Sequence, residues 1–327
     1  MNQFEYTRAS SKQAAVGALG KDATAVFLAG GTNLIDLMKS GVTSPGRLVD
    51  INDVPLASIE KTPKGIHIGA LARNSDVAEH ELVLKNIPLL SMALKTGASP
   101  QLRNMATVGG NMMQRTRCHY FYDTAMPCNK REPGTGCGAI GGYNRMHAIF
   151  GASDKCIAVH PSDMCVAMTA LDAVVTVTGT KGERKIPFGD FHRLPGDTPE
   201  KDNMLQKGEM IIGVDIPFNN LYAHSYYLKV RDRASYAFAL VSVAAAMELK
   251  GNIIQDIRLA MGGVAHKPWR LKSAELLLKG KAATVENFKK AADTVMKDAK
   301  SYGYNDFKKV LAPNTIVEAL KTAAGIA

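Results

Sequence analysis

The sequence predicts a mixed α/β protein of two or three domains, on three observations. Its 327 residues are enough for several units that each bury an apolar core. Short β-rich runs alternate with helical ones along the first half. Turn-forming residues at Pro195-Gly196, Pro199 and 217–220 then break the chain before a further α/β segment.

The first stretch reads as strand 25–28, helix 33–39 and strand 47–51, which is βαβ grammar. A second set opens with a strand at 65–70, passes through a helical run at 75–98, and resumes after a cysteine-rich region with a valine- and threonine-rich strand at 170–178. The last unit reads as strand 226–230, an apolar segment at 238–249, strand 253–261, and helices from Lys272 onward. No repeat of fixed period occurs.

Composition narrows the class. Hydrophobic residues make up 46% and charged residues 21%, which is ordinary for a folded chain. The formal charge of +10 suits nucleic acid, an anionic cofactor or an acidic partner, and does not choose among them. A basic nucleic-acid binder with a zinc site is disfavoured, because no basic recognition helix or RNA-binding aromatic motif is present. The first residues lack a basic region followed by an apolar one, so no secretion signal is expected. The longest apolar stretch, 236–247, falls short of the roughly 18 residues that span a bilayer. Neither nucleic-acid binding nor membrane insertion is expected.

Two glycine turns carry the chemistry. Residues 26–34 (Val26, Phe27, Leu28, Ala29, Gly30, Gly31, Thr32, Asn33, Leu34) place two glycines and two hydrogen-bonding side chains where a strand gives way to a helix. There the backbone N–H groups can approach a phosphate, although a strand-to-helix turn also needs glycine for steric reasons alone. Thr107, Gly109, Gly110 and Asn111 repeat the pattern about eighty residues later, and two such turns could grip one pyrophosphate from both sides. Gly136, Gly138 and Gly141 fit the dinucleotide spacing, but no strand precedes them and a cysteine interrupts them, so that reading is rejected.

All five cysteines lie between Cys118 and Cys165, an odd number that argues against a disulfide framework. Cys118, Cys128, Cys137 and Cys156 are separated by nine, eight and eighteen residues in a glycine-rich, irregular segment. Thiolates converge on a metal centre more readily from loops, but this spacing matches neither a zinc ribbon nor a ferredoxin run. Cys165 precedes an apolar run and reads as a small buried residue rather than a ligand. His119, His147 and His160 admit a mixed site but read better as hydrogen-bonding residues. Arg115, Arg117, Lys130, Arg131 and Arg145 could favour thiolates, or be solvated surface charges.

The two glycine turns, taken with Ser162-Asp163-Met164, Gly208-Glu209-Met210-Ile211-Ile212, the run 229–237 and Gly262-Gly263-Val264-Ala265, resemble the xanthine dehydrogenase and carbon monoxide dehydrogenase flavoprotein family over nearly the whole chain. The cysteine segments around Cys118, Cys128 and Cys137 resemble the branch formed by the flavin subunits of bacterial periplasmic aldehyde oxidoreductases. Ser235 departs from the pattern, since many relatives have Asp before the tyrosine, and is given no role.

This resemblance implies an α+β protein with a two-subdomain FAD-binding fold of the vanillyl-alcohol-oxidase and CO dehydrogenase flavoprotein type over 1–220, split near residue 56. A C-terminal α/β domain would follow over 221–327. It implies FAD held by residues 26–34, Thr107, Gly110 and Asn111, with Asp163, Ile212 and Lys229 as further contacts. It also implies a [4Fe-4S] cluster ligated by Cys118, Cys128, Cys137 and Cys156 in an insert over about 115–158. The implied role is electron transfer from partner [2Fe-2S] clusters to FAD and an external acceptor. The substrate, an aldehyde, would be oxidised at a molybdenum cofactor on a large partner subunit, and a small subunit would carry the [2Fe-2S] clusters. No catalytic acid or base is expected, because the flavin performs the chemistry. The flavin subunit of a hydroxybenzoyl-CoA reductase type complex is the alternative. Relatives reach the periplasm with an exported partner, and a cytoplasmic location is equally compatible.

Overall fold

Parallel strands need a crossover between them, and one here is the helix Leu34–Lys39. It joins β2 (Ala25–Leu28) to β3 (Arg47–Asp50), so the expected βαβ unit forms. With β1 (Glu5–Arg8) these make a sheet in the order β1-β3-β2. The computed structural model describes residues 1–326. β1 escapes the sequence reading because all four of its residues are exposed, leaving no apolar alternation to read.

The second sheet is antiparallel. Its strands are β4 (Ile59–Thr62), β5 (Gly65–Gly69), β6 (Val174–Gly179), β7 (Gly182–Pro187) and β8 (Met210–Pro217), in the order β4-β5-β8-β6-β7. The strands expected at 65–70 and 170–178 are not neighbours, since both pair with β8. The helical run 75–98 is three pieces, Asn74–Glu79, Glu81–Asn86 and Pro88–Thr96. Pro88 starts the last of them, because its ring cannot continue a preceding helix but suits a first turn.

A four-stranded antiparallel sheet forms the C-terminal part, from β9 (His224–Val230), β10 (Val241–Lys250), β11 (Ile253–Gly262) and β12 (Trp269–Arg270) in the order β12-β11-β10-β9. Side chains alternate along a strand, and β10 uses both faces. Val241, Val243, Ala245 and Met247 face a core shared with the helices Val285–Met296 and Lys308–Ala324. Ala244 and Ala246, with Ala260 of β11, face the opposite core around the helix Asp163–Ala170. Small residues on that face let this helix come close, and all eight of its residues are buried. The first residue of the helix, Asp163, is thereby fixed between the two parts of the chain. Among the described residues no helix is long and apolar enough to cross a membrane.

Candidate cofactor sites

The two glycine turns meet. A Cβ built on Gly30 would lie 1.9 Å from the carbonyl oxygen of Met105, so only glycine allows the first turn to rest on the second. Gly31 has φ +70°, a left-handed conformation that again favours glycine. On the second turn Thr107 caps the short helix Val108–Met112, its Oγ1 accepting from the N–H of Gly110. Asn111 Oδ1 accepts from Ser162 Oγ at 2.6 Å and from Gln114 Nε2 at 2.6 Å, which ties this turn to the start of the buried helix. The backbone N–H of Arg115 donates to Asn33 Oδ1 at 2.9 Å, joining the first turn to the entry of the cysteine segment.

Both turns open on one cleft. Thr32, Asn33, Gly110, Asn111, Asp163 and Lys229 line it. Of the other residues expected at the flavin, Ala29 and Phe27 pack against the N-terminal core, to which the buried Ile212 belongs. Val26 and Leu28 lie in β2, and Leu34 opens the helix that follows the turn. Two buried polar atoms of cleft residues have no partner among the described residues, Asn33 Nδ2 and Asn74 Oδ1. Leaving a buried polar group unpaired costs about 1–3 kcal/mol, and a polar ligand in the cleft would relieve it. A nucleotide with amide- and carbonyl-bearing rings fits this donor and acceptor pair. Asn74 was missed by the sequence reading, because it starts an ordinary helical run and carries no motif.

Asp163 and Lys229 form a buried ion pair at 2.7 Å on the cleft wall. Lys229 also donates to the carbonyl of Thr96 at 3.1 Å, and Tyr227 OH donates to the second oxygen of Asp163 at 2.7 Å. Burial and the Asp163 charge push Tyr227 well above the usual phenol range, so it stays a donor. Tyr227 is a further residue without a sequence signal, since its neighbour Tyr226 is equally aromatic and only the strand register decides which faces Asp163. Tyr236 is 59% exposed at the cleft wall, with φ +52°, so core packing does not account for it.

The four insert cysteines converge. Cys118, Cys128, Cys137 and Cys156 are free thiols lining one small cavity. Cys128 and Cys137 face each other across an antiparallel bridge, an arrangement that loops with two short returns can achieve. Backbone N–H groups point at the sulfurs: those of Tyr120 and Phe121 at Cys118, those of Ala139, Ile140 and Ile157 at Cys137, and that of Ala158 at Cys156. Hydrogen bonds of this kind stabilise thiolates. A hydrogen bond from Cys156 pulls Cys137 below the usual thiol range, and Cys156 rises in turn as the donor. Burial pushes Cys118 up to about 12.

Among the described residues, three metal-capable side chains come within 4.8 Å of one another only at His160, Cys165 and His192. No three of the insert thiols come that close together. Cys165 itself is fully buried in the core, and burial holds its thiol up at about 12. His192 Nε2 donates to the carbonyl of Met112 at 2.9 Å.

The basic residues around the insert are mostly occupied. Arg115 and the buried Lys130 pair with Asp202, Arg117 with Asp36 and Arg145 with Asp232. Burial would raise Asp202, but the Lys130 and Arg115 cations overcome it and hold the carboxyl at about 2. Arg131 instead donates to the carbonyls of Tyr120, Phe121, Asp123 and Met126. Of the glycines of the rejected dinucleotide pattern, Gly138 serves packing: a Cβ there would lie 2.6 Å from the ring of Tyr120. His119 is exposed, whereas His147 is buried with Nε2 3.1 Å from Cys118 Sγ. Burial and the neighbouring Lys308 push His147 down to about 4, so its ring is neutral. A further cavity, lined by Cys118, His147, Ser162, Asp163 and Phe238, lies between the thiol pocket and the cleft.

Known proteins share this organisation. Residues 2–219 match the model of the FAD binding domain in molybdopterin dehydrogenase, and residues 226–323 that of the CO dehydrogenase flavoprotein C-terminal domain. The chain is 48% identical over 325 residues to the aldehyde oxidoreductase FAD-binding subunit PaoB of Escherichia coli strain K12, covering 99% of each chain. It is 33% identical to the glyceraldehyde dehydrogenase medium chain of Sulfolobus acidocaldarius, over 90% of this chain and 87% of the relative. The solved carbon monoxide dehydrogenase of Hydrogenophaga pseudoflava superposes with a TM-score of 0.78 at 26% identity, covering 99% of this chain and 98% of that one. With the cleft, the turns and both family models in agreement, this chain belongs to the FAD-binding subunits of the molybdenum hydroxylase family.

Proposed function

We propose that the chain is the electron-transfer flavoprotein subunit of a molybdenum-containing aldehyde oxidoreductase, and that Cys118, Cys128, Cys137 and Cys156 hold a [4Fe-4S] cluster beside its flavin. The observation that carries the first part is the single cleft on which both glycine turns, Asp163 and Lys229 open, in a chain alike over its full length to an aldehyde oxidoreductase subunit. The second part is supported by four free thiols around one cavity, with backbone N–H groups already directed at their sulfurs.

FAD bound in the cleft would supply the chemistry, exchanging single electrons with partner clusters for a pair at an external acceptor. The protein's part is positional. The turns at 29–34 and 106–111 offer backbone N–H groups to the diphosphate, Asn33 and Asn74 supply the unpaired donor and acceptor, and the Asp163–Lys229 pair presents fixed charges to the ring system. The insert stands next to the cleft, across the cavity lined by Cys118 and Asp163. Aldehyde oxidation would take place on a molybdenum-bearing large subunit, with a [2Fe-2S] small subunit as the relay.

The test is purification of the complex with its native partners, followed by an absorption spectrum, iron and flavin analysis, and subunit identification. One FAD and four iron atoms on this chain, both bleached by added aldehyde, are expected. A complex that contains FAD but only the iron of its small subunit would remove the cluster from this chain and leave the flavin assignment standing.

A further inference from the structure

We infer that His147 donates a hydrogen bond from Nε2 to the sulfur of Cys118 and so raises the reduction potential of the insert's iron–sulfur centre, and that Asn305 and Lys308 hold it there. This rests on the reading of the four cysteines as cluster ligands.

Nε2 of His147 lies 3.1 Å from Cys118 Sγ, and the residue is 3% exposed. The direction of the bond follows from the sulfur. A cysteine that ligates iron is a thiolate with no proton to give, so it can only accept, and the neutral imidazole must place its one N–H on Nε2. Nδ1, buried without a partner among the described residues, is then the acceptor nitrogen. The other donors directed at Cys118 are the backbone N–H groups of Tyr120 and Phe121, which an ordinary side-chain substitution leaves in place, so His147 is the side chain through which this sulfur is tuned.

The ring is held from the far end of the chain. The carbonyl of His147 accepts from Lys308 Nζ at 2.9 Å and from Asn305 Nδ2 at 3.3 Å. Lys308 is fully buried, and its second bond, at 2.7 Å, goes to the carbonyl of Gly263. Asn305 is likewise fully buried and also donates to the carbonyl of Ala148. A buried ammonium is expensive to keep without a carboxylate, and here its acceptors are carbonyls of the insert and of the turn after β11. Lys308 and Asn305 are positioning residues in this scheme. They fix the backbone of His147, and the ring reaches Cys118 from there. Hydrogen bonds to cluster sulfurs favour the reduced, more negative state, so removing this donor lowers the potential.

The test is an anaerobic redox titration of the holo complex, followed by the electron paramagnetic resonance of the reduced insert cluster. His147→Leu should shift the one-electron equilibrium about tenfold toward the oxidised form, about 59 mV lower, with iron and flavin content unchanged. His147→Gln keeps a donor and should recover most of the shift. Lys308→Met should move the potential the same way by less. Unchanged potential in an iron-replete His147→Leu protein would overturn the inference. A second measurement needs no substitution: wild-type protein carrying 15N in its histidine rings should show a nitrogen coupling to the reduced cluster, and absence of that coupling overturns the inference as well. Absence of iron from this chain in the wild-type complex would instead defeat the reading of the cysteines.

Discussion

Gly30 rests against Met105 so closely that one added carbon would stand 1.9 Å from the Met105 carbonyl oxygen. Contact between these residues brings two turns about eighty positions apart to the same cleft. The glycines of the two turns therefore do different jobs.

Gly30→Ala should push the turns apart, at an overpacking cost of about 1–3 kcal/mol, and lose flavin as a result. Gly110→Ala should behave otherwise, because its Cβ would meet only Thr107 Oγ1, at 3.0 Å. The expected outcome is a near-normal melting temperature with reduced flavin content. Thermal melts beside flavin absorbance separate the two, and equal melting temperatures in both variants would refute the distinction.

Lys229→Met should be among the most damaging single changes. It strands the Asp163 carboxylate in a site where the pair is 2% and 8% exposed, and breaking a buried pair from one side costs about 3–5 kcal/mol. Asp163→Asn combined with Lys229→Met should recover part of that loss while flavin affinity stays low. Urea unfolding of the three proteins measures it, and a double variant as unstable as Lys229→Met alone would count against the pair.

Asp202 gives a pH dependence of defined sign. Its folded value of about 2 lies below the ordinary carboxyl value near 4. A depressed acid contributes stability that is present above its unfolded value and lost as pH falls through the folded one. The stability difference between wild type and Asp202→Asn should thus be largest near neutral pH and shrink between about pH 4 and 2. A difference that stays constant over that window would show that Lys130 and Arg115 do not hold this carboxyl.

Cys128→Ser should lower iron and leave FAD bound, because the insert and the glycine turns are built from different segments. Cys165→Ala should keep both cofactors and show a modest stability loss, since this thiol packs in the core. Iron loss in the Cys165 variant would mean that the ligand set was wrongly drawn.

The parts of the molecule with a local signature were legible. Glycine pairs at strand-to-helix turns and five cysteines within one segment need no partner to be noticed. β7 carries charged residues on an exposed edge, and β8 is buried on almost every residue, so neither shows clean alternation. Asn74, Tyr227 and the contact between His147 and Cys118 depend on segments far apart in sequence. Tertiary packing alone selects them. The five basic residues around the insert were visible as a cluster of charge, but the occupation of four of them by Asp36, Asp202 and Asp232, and of Arg131 by loop carbonyls, was not.

One guanidinium bears on how the insert is built. Arg131 holds the carbonyls of Tyr120, Phe121, Asp123 and Met126, so the loop that carries Cys118 toward its companions is shaped by the chain's own hydrogen bonds. A loop braced in this way has little left to order when metal arrives. On the proposed assignment of the four cysteines, iron delivery would be capture by a waiting receptacle instead of a step on which maturation of the polypeptide depends, and a cell short of iron would still accumulate a folded, yellow, cluster-free form.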